Sequence, residues 1–553
     1  MAANPSIQLG TDGNWAIKED NLLAYKKDGT RFFNKEFDFT RGSLATFVDK
    51  DGLIKVSGVT DTELVVNGDF ATDSDWTKGS GWSISNGVAS YDGGSGTQSI
   101  KQSGIAQSGK TYKIRLNVVS NEGSGSNTMY LGGVILNTSH LQAGSYTFFV
   151  TTISTGSLNI FGRSGENFVI DNVSVKEIQL DVPRIDFTDD TTGHLLLEPQ
   201  STNLLTYSED FSQWNKAGVT ITSDDEISLD GTQNADLLKG NTSSSRHYML
   251  KGQSANLSAS ISFFAKAKEL KYIQIACQNT ANQYANFDVK DGVIGTVGGD
   301  FSNAKIENYG NGWYRCSVVS TNIYSPVWIS LISGLNSGWL ESWAMPNNTD
   351  GLYVWGAQLE ELSYSTSYIP TYGSAVTRNA EVCNNSGSVQ DFNSEEGVLY
   401  ADIAALVSQV NYRYIALTDG TTSNRVDIIY RGDSSNVITS RLTVGGAATA
   451  RYDIAINNEL NYNKFALSWK LNEVKFFING TQQGITDTNA NVPPPNTFNE
   501  LLFDRGDGNE DFYGKVKELK VFKRAMSDGE LYLLTVPQYQ SYQEMATALN
   551  YTL

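Results

Sequence analysis

Apolar and polar positions alternate with a period of two along most of the chain, in short runs separated by Gly-, Ser- and Asn-rich segments. TYKIRLNVVS (111–120), SYTFFVTTI (145–153) and KVKELKVFKR (515–524) show it clearly, as do Phe37 and Phe39 between Asp38 and Thr40. Such a period puts alternate side chains on one face of a pleated strand. Asp28-Gly29 and Asp51-Gly52 are turn signals, and Asn479-Gly480 within EVKFFINGTQ (473–482) predicts a tight hairpin. Helical periodicity is nearly absent. The exception is SDGELYLL (527–534), where Ser527 and Glu530 form a capping-box pair. The pattern predicts an all-β chain of tandem antiparallel β-sandwiches, jelly-roll and concanavalin-like in type, with a small N-terminal docking region.

A chain of 553 residues exceeds what one core holds, since single cores stop growing near ~250–300 residues. The turn-rich breaks divide it into 1–62, 63–178, 179–380 and 381–553. ELVVNGDFATDSDW (63–76) is echoed by NLLTYSEDFSQW (203–214), and VIDNVSVKEI (169–178) by LYVWGAQLEEL (352–362), which points to two sandwiches of one type. Trp76 and Trp214 are equivalent in this echo and are therefore expected in cores, as are Trp313, Trp355 and Trp469 within alternating strands. Residues 1–62 are too few for an independent core and should pack on a neighbour or on other subunits. The end, QSYQEMATALNYTL (540–553), reads as a helical or extended arm.

Composition narrows the function. A net charge of -19 argues against nucleic acid, whose phosphates need clustered Lys and Arg. No stretch of ~18 apolar residues is present to insert into a membrane. Cys277, Cys316 and Cys383 are too few and too odd in number for a disulfide framework, which suits a reducing compartment. The opening MAANPS has neither a basic flank nor an apolar core, so export by a classical signal is not expected. His140, His194 and His247 lack metal-ligand spacing, and no G-x-S-x-G elbow occurs. Glu395, Glu396 and Asp402 do not follow the strand pattern of sandwich glycosidases. The expectation is a protein that is not an enzyme and requires no cofactor.

NGDF…W…GW (67–82) with IDNVSV (170–175) resembles the jelly-roll carbohydrate-binding modules of bacterial glycoside hydrolases. That resemblance implies a structural calcium where first and last strands meet, with Asn67, Asp69 and Asp171 as matching side chains. Asp210 and Asp350 are the weaker counterparts in the second copy. The stretch 468–531, SWK…VKFFINGTQ…FYGKVKELKVFKRAMSDGEL, resembles the laminin-G or concanavalin-like lectin sandwich. FDFTRGSLATFVDKDGLIK (37–55), VPRIDFTDDTTGHLLLEPQSTNLLTYSEDFSQW (182–214), GLYVWGAQLEE (351–361) and SYQEMATALNYTL (541–553) resemble fibre and related structural proteins of bacteriophages. In those proteins the T-R-G piece runs almost directly into the P-R-I-D piece, so residues 63–178 read as an insertion.

The resemblance implies a virion component, assembled in a host cytoplasm and released by lysis. Its partners would be other virion proteins through the N-terminal region, further copies of itself as a homotrimer, and cell-surface glycans. Sugar binding calls for exposed aromatic faces beside hydrogen-bonding side chains. The candidates are Trp82, Tyr91, Tyr130 and Arg163 in the first sandwich and Tyr412, Tyr414, Tyr430, Arg431 and Arg505 in the last. The rival readings are a purely structural virion protein, a glycan depolymerase and a bacterial surface adhesin.

Overall fold

The computed structural model describes residues 4–537, apart from 29, 95, 124–126, 138–139, 190, 253–256, 278–281, 324 and 409–410. The expected arm at 540–553 and the turn at Asp28-Gly29 lie outside the described residues. The expected all-β class is observed, as antiparallel sheets packed in pairs.

The first sandwich packs two five-stranded sheets. One is centred on Thr111–Glu122, paired with Gly144–Thr151 and Asn167–Ile178. The other contains Gln98–Ala106, Gly156–Gly162 and Met129–Leu131. Tyr112, Ile114, Leu116 and Val118 all point into the core, as the alternation of their strand dictates. The second sandwich packs two six-stranded sheets, one around Leu257–Ala267 and one around Tyr272–Cys277. The internal echo is structural. Trp76 donates its indole N–H to Asn67 O at 3.0 Å and packs on Phe70, while Trp214 donates to Tyr207 O at 2.9 Å and packs on Phe211.

The final sandwich corrects the division of the chain. Its five-stranded sheet comes from 413–502, but the facing sheet has 12 strands drawn from three of the four segments. Ile7–Leu9 pairs with Gly514–Phe522, setting Ile7 opposite Val521. His194–Leu197 pairs with the same strand, Leu195 opposite Val516. Arg31–Thr40 pairs with Val382–Asn384. Ile7, Leu22, Phe37, Phe39 and Leu195 thus share one core with Leu399, Trp469 and Val521. A few strands cannot bury a core by themselves, so residues 1–62 do not stand apart as a docking region. They extend an existing sheet. The hairpin Thr46–Val48/Ile54–Val56 goes elsewhere and seals Trp313 and Trp355 against the outside of the second sandwich.

The predicted hairpin at Asn479-Gly480 is present with φ of 47° and 82°, and Ser527 and Glu530 cap the helix Asp528–Thr535 reciprocally. The chain enters and leaves the first sandwich at one neck, where Val59 lies opposite Ile178 and Gln179 N–H donates to Gly58 O at 2.9 Å. Gly58 has φ +76°, and a Cβ there would lie 1.9 Å from Gln179 O, so the neck requires glycine.

Beside the neck lies a buried ion cluster of Arg41, Arg184, Glu198, Arg378 and Glu381. Arg41 donates to Glu381 at 3.0 Å, and Arg184 grips both oxygens of Glu381 and reaches Glu198 at 2.8 Å. Arg378 meets Glu198 at 2.9 Å. Backbone carbonyls of Leu180, Val182 and Thr46 take further guanidinium N–H groups. The cluster therefore ties the hairpin, the connector and the final sandwich together.

Candidate functional site

Outward parity on the first sandwich creates an aromatic platform. Tyr130 and Asn159 are directly opposite on paired strands, as are Asn159 and Lys101, so all three share the solvent face. Phe161 lies diagonally beside Tyr130, with ring centroids 5.6 Å apart and an edge-to-face tilt. Both rings are half-buried, and Ile135, opposite Tyr130, is 51% exposed. Arg163 flanks the platform and donates to Thr128 Oγ1 at 2.9 Å. Planar rings bordered by amide, ammonium and guanidinium groups suit a pyranose, which stacks its C–H face and bonds through its hydroxyls. Tyr130 and Arg163 were anticipated from sequence; Phe161, Asn159 and Lys101 were missed. The available signal was Phe161 at a polar position of LNIFG (158–162), out of phase with buried Leu158 and Ile160.

Trp82 and Tyr91 are corrected to core. Trp82 is in phase with Ile84, packs on Tyr91 at 5.5 Å and on Phe168 at 6.2 Å, and spends its N–H on Gln98 O. Neither ring has a free face for a sugar. Tyr430 is corrected in the same way: it is fully buried beneath Arg413, and its hydroxyl donates to Ile403 O at 3.0 Å.

Four of the five residues expected in the final sandwich do gather, on the outer side of its five-stranded sheet. Tyr414 lies there under two guanidinium groups, Arg425 at 5.8 Å and Arg441 at 5.6 Å from the ring centre. Both arginines donate through Nε to Asp427 Oδ2 at 2.8 Å. Burial raises the Asp427 pKa, against the opposing pull of Arg441 and Arg425. Arg431 covers Tyr412 at 5.9 Å and pairs with Asp433 and Asp453, and Arg505 pairs with Asp507 at 2.7 Å. Tyr414 is only 7% exposed, so it is corrected to a buried support for a mutually neutralised charge lattice.

The three side chains matched to a structural calcium each make hydrogen bonds within their own turns. Asn67 spends Oδ1 on Thr72 N–H and Nδ2 on the carbonyls of Thr72 and Ser74. Asp69 accepts from Ala71 N at 3.4 Å, and Asp171 accepts from Asn172 N and Nδ2. Each side chain closes its own turn. Asp210 likewise caps Ser212 N, and among the described residues no group of three or more His, Cys, Asp or Glu could hold a metal.

Two further features bear on chemistry. Where the first two sandwiches meet, Phe149 packs on Tyr372 at 5.7 Å above an acidic seam. There burial, reinforced by Asp230, pushes Glu209 up to about 8, while it accepts from Tyr368 Oη at 2.9 Å. Burial also raises Asp236 to about 8, and that carboxyl takes the N–H groups of Phe211 and Asp224. Among the acids first weighed for glycoside cleavage, Glu396 accepts from Ala525 N and Asp402 is buried within the sheet. No helix among the described residues is long and apolar enough to cross a membrane.

Residues 406–531 match the concanavalin A-like lectin/glucanases superfamily. No curated protein matches the chain. Solved structures similar to it include the carbohydrate-binding module of a Ruminococcus gnavus sialidase bound to α2,3-sialyllactose, at 17% identity and TM-score 0.23. That match covers 28% of this chain and 93% of the other. A tandem carbohydrate-binding module of Paenibacillus barcinonensis Xyn10C matches at 13% identity and TM-score 0.21, covering 56% of this chain and 98% of the other. Domain 4 of the Geobacillus stearothermophilus arabinanase AbnA matches at 13% and 0.23, covering 31% and 82%. Likeness at this level carries no weight for function.

Proposed function

We propose that this chain is a non-catalytic glycan-binding protein of a phage particle, a fibre or decoration subunit that attaches the virion to surface saccharides. The Tyr130–Phe161 platform carries the reading, because it sets two half-exposed aromatic rings beside Asn159, Lys101 and Arg163 on one sheet face. The lectin-like match over 406–531 is in keeping with it. Virion association draws on the fibre-like motifs, which supply Arg41, Arg184 and Glu198 to the buried ion cluster.

Assembly with other copies or other virion proteins would use the first long hairpin. Its strands Asn21–Asp28 and Arg31–Thr40 leave Phe32 63% and Phe33 42% exposed. One shallow platform binds weakly, and repetition on a particle raises avidity about 10²–10⁴-fold.

The test is a glycan array probed with the protein displayed multivalently, beside Tyr130→Ala and Phe161→Ala variants. Saccharide signal that falls at least about tenfold in both variants, each folded by circular dichroism, supports the reading. A silent array for the unaltered protein leaves a purely structural role in its place.

A further inference from the structure

The opposite sheet of the first sandwich carries a second, chemically different surface. A cleft of about 670 Å³ opens on it, lined by Lys113, Arg115, Asn117, Ser145, Ser174 and Lys176 together with Glu63 and Asp69. Lys113 and Lys176 are direct cross-strand partners, and Arg115 follows Lys113 on the same face, opposite Ser174. Side chains so placed stand about 4.5–5.5 Å apart at Cβ, where like charges destabilise a sheet. Among the described residues, none of the three cations has an ion pair or hydrogen bond; Lys113 only overlies Phe149 at 5.9 Å.

Among the described residues, the nearby acids, Glu63 and Asp69 included, form no ion pair with them. Glu63 spends its carboxylate on Ser174 Oγ at 2.6 Å and on the N–H groups of Val65 and Val175. Asp230 and Glu209, across the seam, bear on Lys113 only through space, while burial and Arg115 depress its pKa. In a protein of net charge -19, these three cations stand side by side with no ion pair among the described residues.

We propose that this cleft binds the acidic groups of a short anionic saccharide, with Lys113, Arg115 and Lys176 holding its carboxylate or sulfate and Asn117 and Ser145 bonding its hydroxyls. The volume falls within the ~300–1,000 Å³ of ligand pockets. The overall negative charge disfavours extended polyanions, so a short acidic oligosaccharide fits better than nucleic acid. The inference deepens the glycan-binding reading by naming a ligand class, but it concerns a different face.

The experiment is calorimetric titration of the full chain with trigalacturonate, maltotriose, inorganic sulfate and a dT10 oligonucleotide, at low and physiological salt. Trigalacturonate should bind and weaken as salt rises, and maltotriose should not bind. Lys113→Gln/Lys176→Gln and Arg115→Gln variants should each lose at least about tenfold in trigalacturonate affinity. Their thermal midpoints should hold or rise, because the substitutions relieve like-charge repulsion. Their array signal through Tyr130 and Phe161 should persist, which separates failure of this site from failure of the platform. Absence of trigalacturonate binding, equal binding by the variants, or sulfate or dT10 binding as tightly as the saccharide would overturn the assignment.

Discussion

Arg184 and Glu381, 197 residues apart in sequence, form a fully buried two-pronged ion pair, with Arg184 Nε 2.8 Å from Glu381 Oε1 and the second prong on Oε2. Arg184 lies in the connector and Glu381 at the start of the final sandwich, so the pair reinforces the strand pairing of His194–Leu197 with Gly514–Phe522.

Breaking that pair from one side leaves an uncompensated charge away from water, which costs about 3–5 kcal/mol. Glu381→Gln should therefore lower the denaturation midpoint by far more than exposed Glu395→Gln does. Urea unfolding followed by tryptophan fluorescence reads both, and equal midpoints would refute the structural role.

Acid should weaken the same cluster. Burial alone would raise the Glu198 pKa, but Arg378, Arg184 and Ser367 outweigh it and bring it from 4.5 to about 2. The native state then binds fewer protons than the unfolded chain between those values. This contribution is complete above pH 4.5 and is lost as pH falls toward 2. Unfolding free energy measured from pH 6 down to pH 2 should fall through this window, with a shallower slope in Glu198→Gln.

The acidic seam has the opposite sign. Glu209 and Asp236, both raised by burial to about 8, hold protons that the unfolded chain releases near pH 4. Their contribution is whole below the unfolded values and disappears as pH climbs to 8. Thermal midpoints should decline from pH 5 to pH 9, and Glu209→Gln with Asp236→Asn should flatten the decline. A flat profile in the unaltered protein would count against the buried carboxyls.

Chelation should leave the first sandwich unaffected, since Asn67, Asp69 and Asp171 are engaged in their own turns. An EDTA-induced drop in thermal midpoint, reversed by calcium, would instead establish a bound metal there.

Strand parity accounts for what the sequence disclosed and what it hid. The sandwich class, the Asn479-Gly480 hairpin and the Ser527 cap were readable because each rests on local chemistry. Trp76 and Trp214 were placed correctly because the echo aligned them, and the structure gives them the same bond and the same phenylalanine partner. Trp82, Tyr91 and Tyr430 were misread because aromatic type was weighed above phase. Each is in step with buried neighbours, Ile84, Ala89 and Ile428. The joining of Ile7–Leu9 to Gly514–Phe522 had no local signal at all, since pairing between distant strands leaves no periodic trace. The cations of the cleft drew no reading from the sequence, because their adjacency depends on the register that sets Lys113 opposite Lys176.

That closure of early strands onto a late one sets the order in which the polypeptide can mature during translation. The first and second sandwiches contain all their own strands and can condense as soon as they clear the ribosome, at ~5–20 residues per second. Ile7–Leu9 must wait until Gly514–Phe522 has been made, with its hydrogen-bonding edge open meanwhile. On crowded polysomes, that waiting edge is where neighbouring nascent chains would cross-pair.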